Sequence, residues 1–206
     1  MKSYNPLEKQ NLAESVVREL MAVPISPLEA LTSFEGAGVY VIYYVGEFEA
    51  YAPFKNDLEN GVFDKPIYVG KAIPAGARTG GLGLGASPGY VLFNRLKEHL
   101  ESVSLANNVD SKDFYFRHLV VDDIWIPLSE SLLIMNYKPV WNVLITGFGN
   151  HDPGAGRYNQ KRSLWDTVHP GRSWAEKCQP AVLVQEQILA NLSDAKNLDV
   201  DANIEV

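Results

Sequence analysis

The sequence predicts an α+β domain, with a small central antiparallel or mixed β-sheet flanked by helices. Three observations carry that expectation. Residues 38–45 (GVYVIYYV) and 66–72 (PIYVGKA) are short runs of β-branched and aromatic residues, each setting a Gly near a Tyr. Residues 114–121 (FYFRHLVV) form another such run. Around these runs, apolar residues recur at helical spacing. No internal repeat or clean domain boundary interrupts the chain, and 206 residues fit one domain.

In chain order, residues 6–21 read as an amphipathic helix with Leu7, Leu12, Val16, Val17, Leu20 and Met21 on one side, Asn5 as N-cap and Pro6 in the first turn. Pro24 and Pro27 end it, and Ser26 is placed to cap a short turn through Ala30 and Leu31. Between the first two Tyr-bearing strands, residues 49–54 are expected as a further strand and Asn60-Gly61 as a turn. Gly-rich residues 73–89 follow as a loop able to approach a ligand closely, without the GxxxxGK[ST] pattern of a phosphate loop. Residues 90–103 are helical, with Leu92, Phe93, Leu96 and Leu100 as the buried stripe and with Arg95 and His99 one turn apart on a shared face. Asp122 and Asp123 stop the strand at 114–121. Residues 124–137 form the next helix, carry Glu130 in its first turns, and end at Lys138-Pro139. Residues 139–144 are expected to be extended, 147–156 a loop, 157–177 a polar stretch anchored by Trp165 and Trp174, and 181–192 a last helix.

The composition, 46% hydrophobic and 21% charged, is that of a globular protein able to bury a core. Cys178 is the one cysteine, which excludes an internal disulfide and a cysteine-rich zinc site. His99, His118, His151 and His169 lack HxxxH or HxH spacing, so no preformed histidine metal site is expected. With no apolar run of membrane-spanning length and no apolar signal core, the expected location is the cytoplasm. A formal charge of −7 argues against indiscriminate binding to a polyanion. The cations are nevertheless clustered: between residues 65 and 99, Lys65, Lys71, Arg78, Arg95 and Lys97 face only Glu98. With a screening length of about 8 Å, remote acids need not cancel such a face.

Taken in order, Gly38-Val39-Tyr40, Tyr68-Val69-Gly70-Lys71, Arg95-Leu96-Lys97-Glu98-His99, Glu130 and Lys138-Pro139-Val140-Trp141-Asn142 resemble the GIY-YIG nuclease superfamily. Val stands for Ile in both signatures, a one-methylene change that a strand core tolerates. The resemblance covers residues 38–142 and departs from the pattern in the long gap between Tyr44 and Tyr68 and in the Gly-rich insertion before Arg95. Such additions are similar to those of the restriction-endonuclease branch. The resemblance implies a type II restriction enzyme that hydrolyses both strands of duplex DNA with one Mg²⁺ per active site, Mn²⁺ being able to substitute, and leaves 5′-phosphate and 3′-hydroxyl ends. A palindromic site cut symmetrically implies a homodimer. Residues 1–206 are then a single domain, with 38–142 as the catalytic core and 1–37 and 143–206 as extensions for dimerisation and DNA contact.

On this resemblance Glu130 holds the metal, Arg95 forks onto the scissile phosphate and Lys71 adds a point charge. Tyr40 is the expected general base, which requires its phenol to fall by about three units from pKa 10. Tyr68 orients the water or phosphate, His99 bonds Tyr40 or shuttles a proton, and Asn142 holds the neighbourhood in place. DNA contacts are expected from Arg78 and from Asn159, Gln160, Lys161, Arg162 and Arg172, as base readers or as phosphate clamps. Each residue also has an ordinary role: Glu130 can favour a helix dipole, Asn142 can cap a strand end, and His99 can simply pack. Their joint occurrence in this order favours one shared site. Two other functions fit the same residues, a structure-directed repair or recombination nuclease and a non-catalytic DNA-binding module.

Overall fold

The computed structural model describes residues 8–74 and 87–201, with side chains through Ser193. Its sheet has four strands in the order β1 (Ser26–Pro27), β4 (Phe114–Val120), β2 (Gly38–Tyr44), β3 (Pro66–Ala72), and every neighbouring pair is antiparallel. All seven residues of β2 are buried, because helices cover both faces of the sheet. Val39, Val41 and Tyr43 face one side, where they share a core with Ala13, Val17 and Leu20 of α1 (Lys9–Ala22) and with Ile126, Leu132 and Leu133 of α3 (Ile126–Tyr137). Tyr40, Ile42 and Tyr44 face the other. There they meet Leu92, Leu96 and Val103 of α2 (Val91–Leu105), together with Trp141, Phe148, Trp165 and Ile188 from the C-terminal third. The alternation along β2 therefore sorts its side chains between two cores.

Several local expectations change. Residues 49–54 form a 3₁₀ helix in place of a strand: Tyr51 donates its N–H to the Phe48 carbonyl, and the turn drives the Tyr51 ring into the core against Trp141. Pro53, which lacks a ladder donor, suits that turn better than a strand. Residues 139–144 are not extended either. Lys138 adopts a left-handed conformation, φ 41°, which ends α3, and Pro139 then caps the single turn α4 (Val140–Val143). Tyr44 is fully buried on the same face of β2 as Tyr40. The buried stripe of α2 runs Leu92, Leu96, His99, Val103, so that a histidine occupies a core position. The turn at Asn60-Gly61 is present, with Gly61 at φ 67°. The excursion between β2 and β3 is folded around buried Asn56, whose amide binds the Tyr44 and Lys65 carbonyls and the Asp64 and Lys65 N–H groups. The C-terminal third adds α5 (Leu164–Val168), α6 (Ser173–Glu176) and α7 (Gln185–Asp201), the last starting four residues later than expected. No helix among the described residues is long and apolar enough to cross a membrane.

Candidate active site

Because β3 is an outer strand, side chains from both of its faces can meet around one edge. Register places Gly70 opposite Tyr40 and Tyr68 opposite Ile42, so Tyr40 and Tyr68 share the face covered by α2. Lys71 lies on the other face, where α3 delivers Glu130, and the Lys71 Nζ donates to Glu130 Oε2 at 2.5 Å. A cleft of about 620 Å³ wraps this edge and is lined by Tyr40, Tyr68, Lys71, Arg95, Glu130 and His151. Asn142 holds the edge itself. Its carboxamide accepts from the Val69 N–H at 2.8 Å and donates to the Val69 carbonyl at 2.9 Å, satisfying the backbone between Tyr68 and Gly70. Five residues of the expected set line the cleft; His99 and Asn142 support it from behind.

The two signature glycines have distinct steric causes. The phenol of Tyr40 lies directly over Gly70, where a Cβ would come within 2.2 Å of the Tyr40 Oη. At Gly38 a Cβ would meet the Leu119 carbonyl oxygen at 2.0 Å, so this glycine is what lets β2 and β4 approach.

In the free protein the electrostatics run against the lowered Tyr40 pKa. Burial pushes the Tyr40 phenol well above its usual value, Tyr68 raises it further, and the Arg95 charge only partly opposes them. Tyr40 is therefore a protonated phenol in the free protein, contrary to the lowered pKa expected of a free general base. Its Oη lies 2.6 Å from His99 Nε2. Burial, with Arg95 and Arg172 next, holds His99 well below 6.5, so the imidazole is neutral and accepts the Tyr40 hydrogen bond. Phe148 stacks on His99 at 4.4 Å between centroids and meets Tyr68 edge-on.

A second buried pair repeats this chemistry away from the cleft. His169 and Tyr51 lie 2.5 Å apart, and burial, aided by Arg172, lowers His169 to about 3. Both imidazoles are neutral when folded, but in the unfolded chain they take up protons below about pH 6.5. The unfolded state then binds more protons, so their stabilisation is complete above pH 6.5 and is lost as pH falls from there towards 3. With both titrating, urea unfolding should show stability dropping ever more steeply below pH 6.5, approaching about 2.7 kcal/mol per pH unit near pH 5. Equal stability at about pH 7.5 and pH 5 would rule this out.

Arg95 is half-buried and heavily engaged. It donates through Nη2 to the Gly149 carbonyl at 2.7 Å and through Nη1 to Glu98 at 3.0 Å and to His151. Gly149 and His151, missed in the sequence, come from a loop with no motif, and only the fold brings them to α2. Among the described residues no group of three His, Cys, Asp or Glu could hold a metal. Glu130 is the inward carboxylate of the cleft, since Glu98 is exposed and paired with Arg95. One carboxylate completed by water and substrate oxygens suits Mg²⁺, which keeps several waters.

The expected DNA contacts separate. Asn159, Gln160 and Lys161 are exposed, whereas Arg162 is half-buried and donates to the Ala175 and Glu176 carbonyls. Arg78 lies outside the described residues. Arg172 is not placed to touch DNA: it is 3% exposed, paired with Asp166 at 2.6 Å, and held between the Trp165 and Trp174 rings. Its charge serves the interior.

No curated protein matches the chain. Residues 32–196 match the family model described as Eco29kI GIY-YIG domain. That match spans most of the chain and includes every residue of the cleft, so the protein belongs to the Eco29kI GIY-YIG family of type II restriction endonucleases.

Proposed function

We propose that this nuclease is a type II site-specific enzyme that hydrolyses both strands of duplex DNA at Glu130, Arg95, Lys71, Tyr40, Tyr68 and His99. The observation carrying this reading is the convergence of a carboxylate, two cations and two tyrosines on one cleft at the sheet edge, with His99 bonded to Tyr40 from behind. Glu130 would hold Mg²⁺, or Mn²⁺ in its place, and the bound ion would neutralise charge on the phosphate. Arg95 offers its cleft-side N–H groups to the non-bridging oxygens, and Lys71 adds a second charge. Tyr68 orients the attacking water. Tyr40 Oη takes the proton from that water as its own proton passes to His99 Nε2, so no free phenolate is needed. The negative phosphate favours an imidazolium and opposes a phenolate, which makes His99 the terminal acceptor. Asn142 keeps Tyr68 in place through Val69.

As the water oxygen bonds to phosphorus, the bond from phosphorus to the 3′ oxygen breaks, and that oxygen takes a proton from solvent, so the products carry 5′-phosphate and 3′-hydroxyl ends. A homodimer places one cleft on each strand of a palindromic site. The apolar stripe of α1 is already buried against α3, so a subunit contact would use other surfaces of residues 1–37 and 143–206. Asn159, Gln160 and Lys161 are the described candidates for groove contact. The protein is read as cytoplasmic. Incubation of purified protein and Mg²⁺ with intact plasmid, beside nicked, flapped and branched DNA, tests the reading. Discrete plasmid fragments are expected. Cleavage confined to branched or flapped DNA would replace it with a repair nuclease, and no cleavage of any substrate would leave a DNA-binding module.

A further inference from the structure

Two arginines grip the same short segment of backbone. Arg172 donates to the carbonyls of Gly147 (3.1 Å), Phe148 (3.0 Å) and Asn150 (3.1 Å), while Arg95 takes the carbonyl between them, that of Gly149, at 2.7 Å. Arg172 is itself fixed. Its Nε donates to Asp166 Oδ1 at 2.6 Å, Asp166 Oδ2 accepts from Ser163 Oγ at 2.6 Å, and both charged side chains are almost fully buried. Such a buried pair is retained only where the fork is satisfied, and here carbonyls satisfy it. The loop that these bonds hold touches three residues of the cleft or its support: Phe148 seats His99 and Tyr68, and Gly149 with His151 seats Arg95. At Gly149 a Cβ would lie 2.6 Å from Tyr68 Oη and 2.9 Å from Arg95 Nη2, so the loop is in close contact with the site.

We propose that Arg172 is a positioning residue for the nuclease reaction: held by Asp166, it sets the Gly147–Asn150 carbonyls so that Gly149 fixes the Arg95 guanidinium. This rests on Arg95 as the phosphate ligand. Its hydrogen bonds go to the loop backbone and Asp166, while its charge also reaches His99, so a variant that keeps the charge isolates the contribution of the loop. Arg172→Lys keeps the charge and loses the fork, and Asp166→Asn is a milder change that keeps an acceptor for Nε.

Two measurements on the full chain decide the matter. In ¹⁵N NMR of the arginine side chains without DNA, the Arg95 guanidinium of the wild type should show hindered rotation, and that of either variant should be averaged. In single-turnover cleavage of saturating duplex DNA, corrected for folded fraction, Arg172→Lys should be slower by about 100-fold, the size expected for a displacement near 1 Å. Asp166→Asn should be slowed in the same direction, and duplex affinity without Mg²⁺ should stay within about threefold for both. Unchanged Arg95 signals, or turnover per folded molecule equal to wild type, would overturn the proposal. If the wild type cuts no DNA, the nuclease reading fails separately, and the Arg95 signals still decide whether Arg172 orders it. Should Arg172→Lys not fold, Asp166→Asn carries both measurements.

Discussion

Glu130→Gln should give a folded protein that no longer cuts DNA. Glutamine keeps the size of the side chain and an oxygen able to accept from Lys71, so the cleft retains its shape. What it loses is the inward negative charge that a hard divalent cation requires. Loss of a group one shell away from a metal typically costs about 10- to 100-fold, so loss of the cleft's inward carboxylate should exceed the upper figure. Stability should barely move. Lys71 and Glu130 are 33% and 19% exposed, a setting in which solvent screens the pair, and Lys71 can turn to water when the carboxylate goes. Thermal unfolding measured beside plasmid cleavage separates the two effects. Retained cleavage by Glu130→Gln would move the metal elsewhere, and an equally unfolded variant would make Glu130 a structural residue.

What was legible in the sequence depended on whether the signal was local. The β runs at 38–44, 66–72 and 114–120 and the helices around them declare themselves through periodicity and punctuation, and Lys138-Pro139 ends α3 where expected. The order of Tyr40, Tyr68, Arg95, His99 and Glu130 pointed to one site because each sits on a regular element whose face the pattern fixes. Failures occurred where tertiary burial outweighed local preference. Tyr51 pulls residues 49–54 into a 3₁₀ turn to reach Trp141, and Trp141 draws residues 140–143 into a helical turn that sends Asn142 onto Val69. Arg172 looked like a DNA contact because a cation in a polar stretch is usually solvated. Only the fold reveals the two tryptophans and Asp166 that enclose it. The surroundings of the Tyr40 phenol were legible only in part: the cations that lower its pKa were readable, while the burial that outweighs them in the free protein was not.

Gly70→Ala should abolish most cleavage while leaving the fold, and Gly38→Ala should do the reverse, unfolding the protein before its chemistry can be assessed. Both positions belong to the paired Tyr strands, yet the added methyl meets different partners. At Gly70 it meets the fully buried Tyr40 ring, with Oη at 2.2 Å and Cζ at 2.4 Å, and the ring must rotate away within its packed surroundings, at a cost of about 1–3 kcal/mol that a domain can absorb. That rotation takes the phenol off His99 and out of the path of the attacking water. A loss of about 10²- to 10⁴-fold in turnover is the scale of a removed proton-transfer partner. At Gly38 the methyl meets the Leu119 carbonyl at 2.0 Å, and backbone in the middle of a sheet cannot yield without shifting the β2–β4 ladder. Overpacking of that kind costs about 3 kcal/mol or more, a large share of the stability of an ordinary domain. Urea unfolding and single-turnover cleavage on both variants test the contrast. A Gly70→Ala protein with full turnover would show that Tyr40 need not face His99, which would dismantle the proton relay while leaving the metal carboxylate and Arg95 in place.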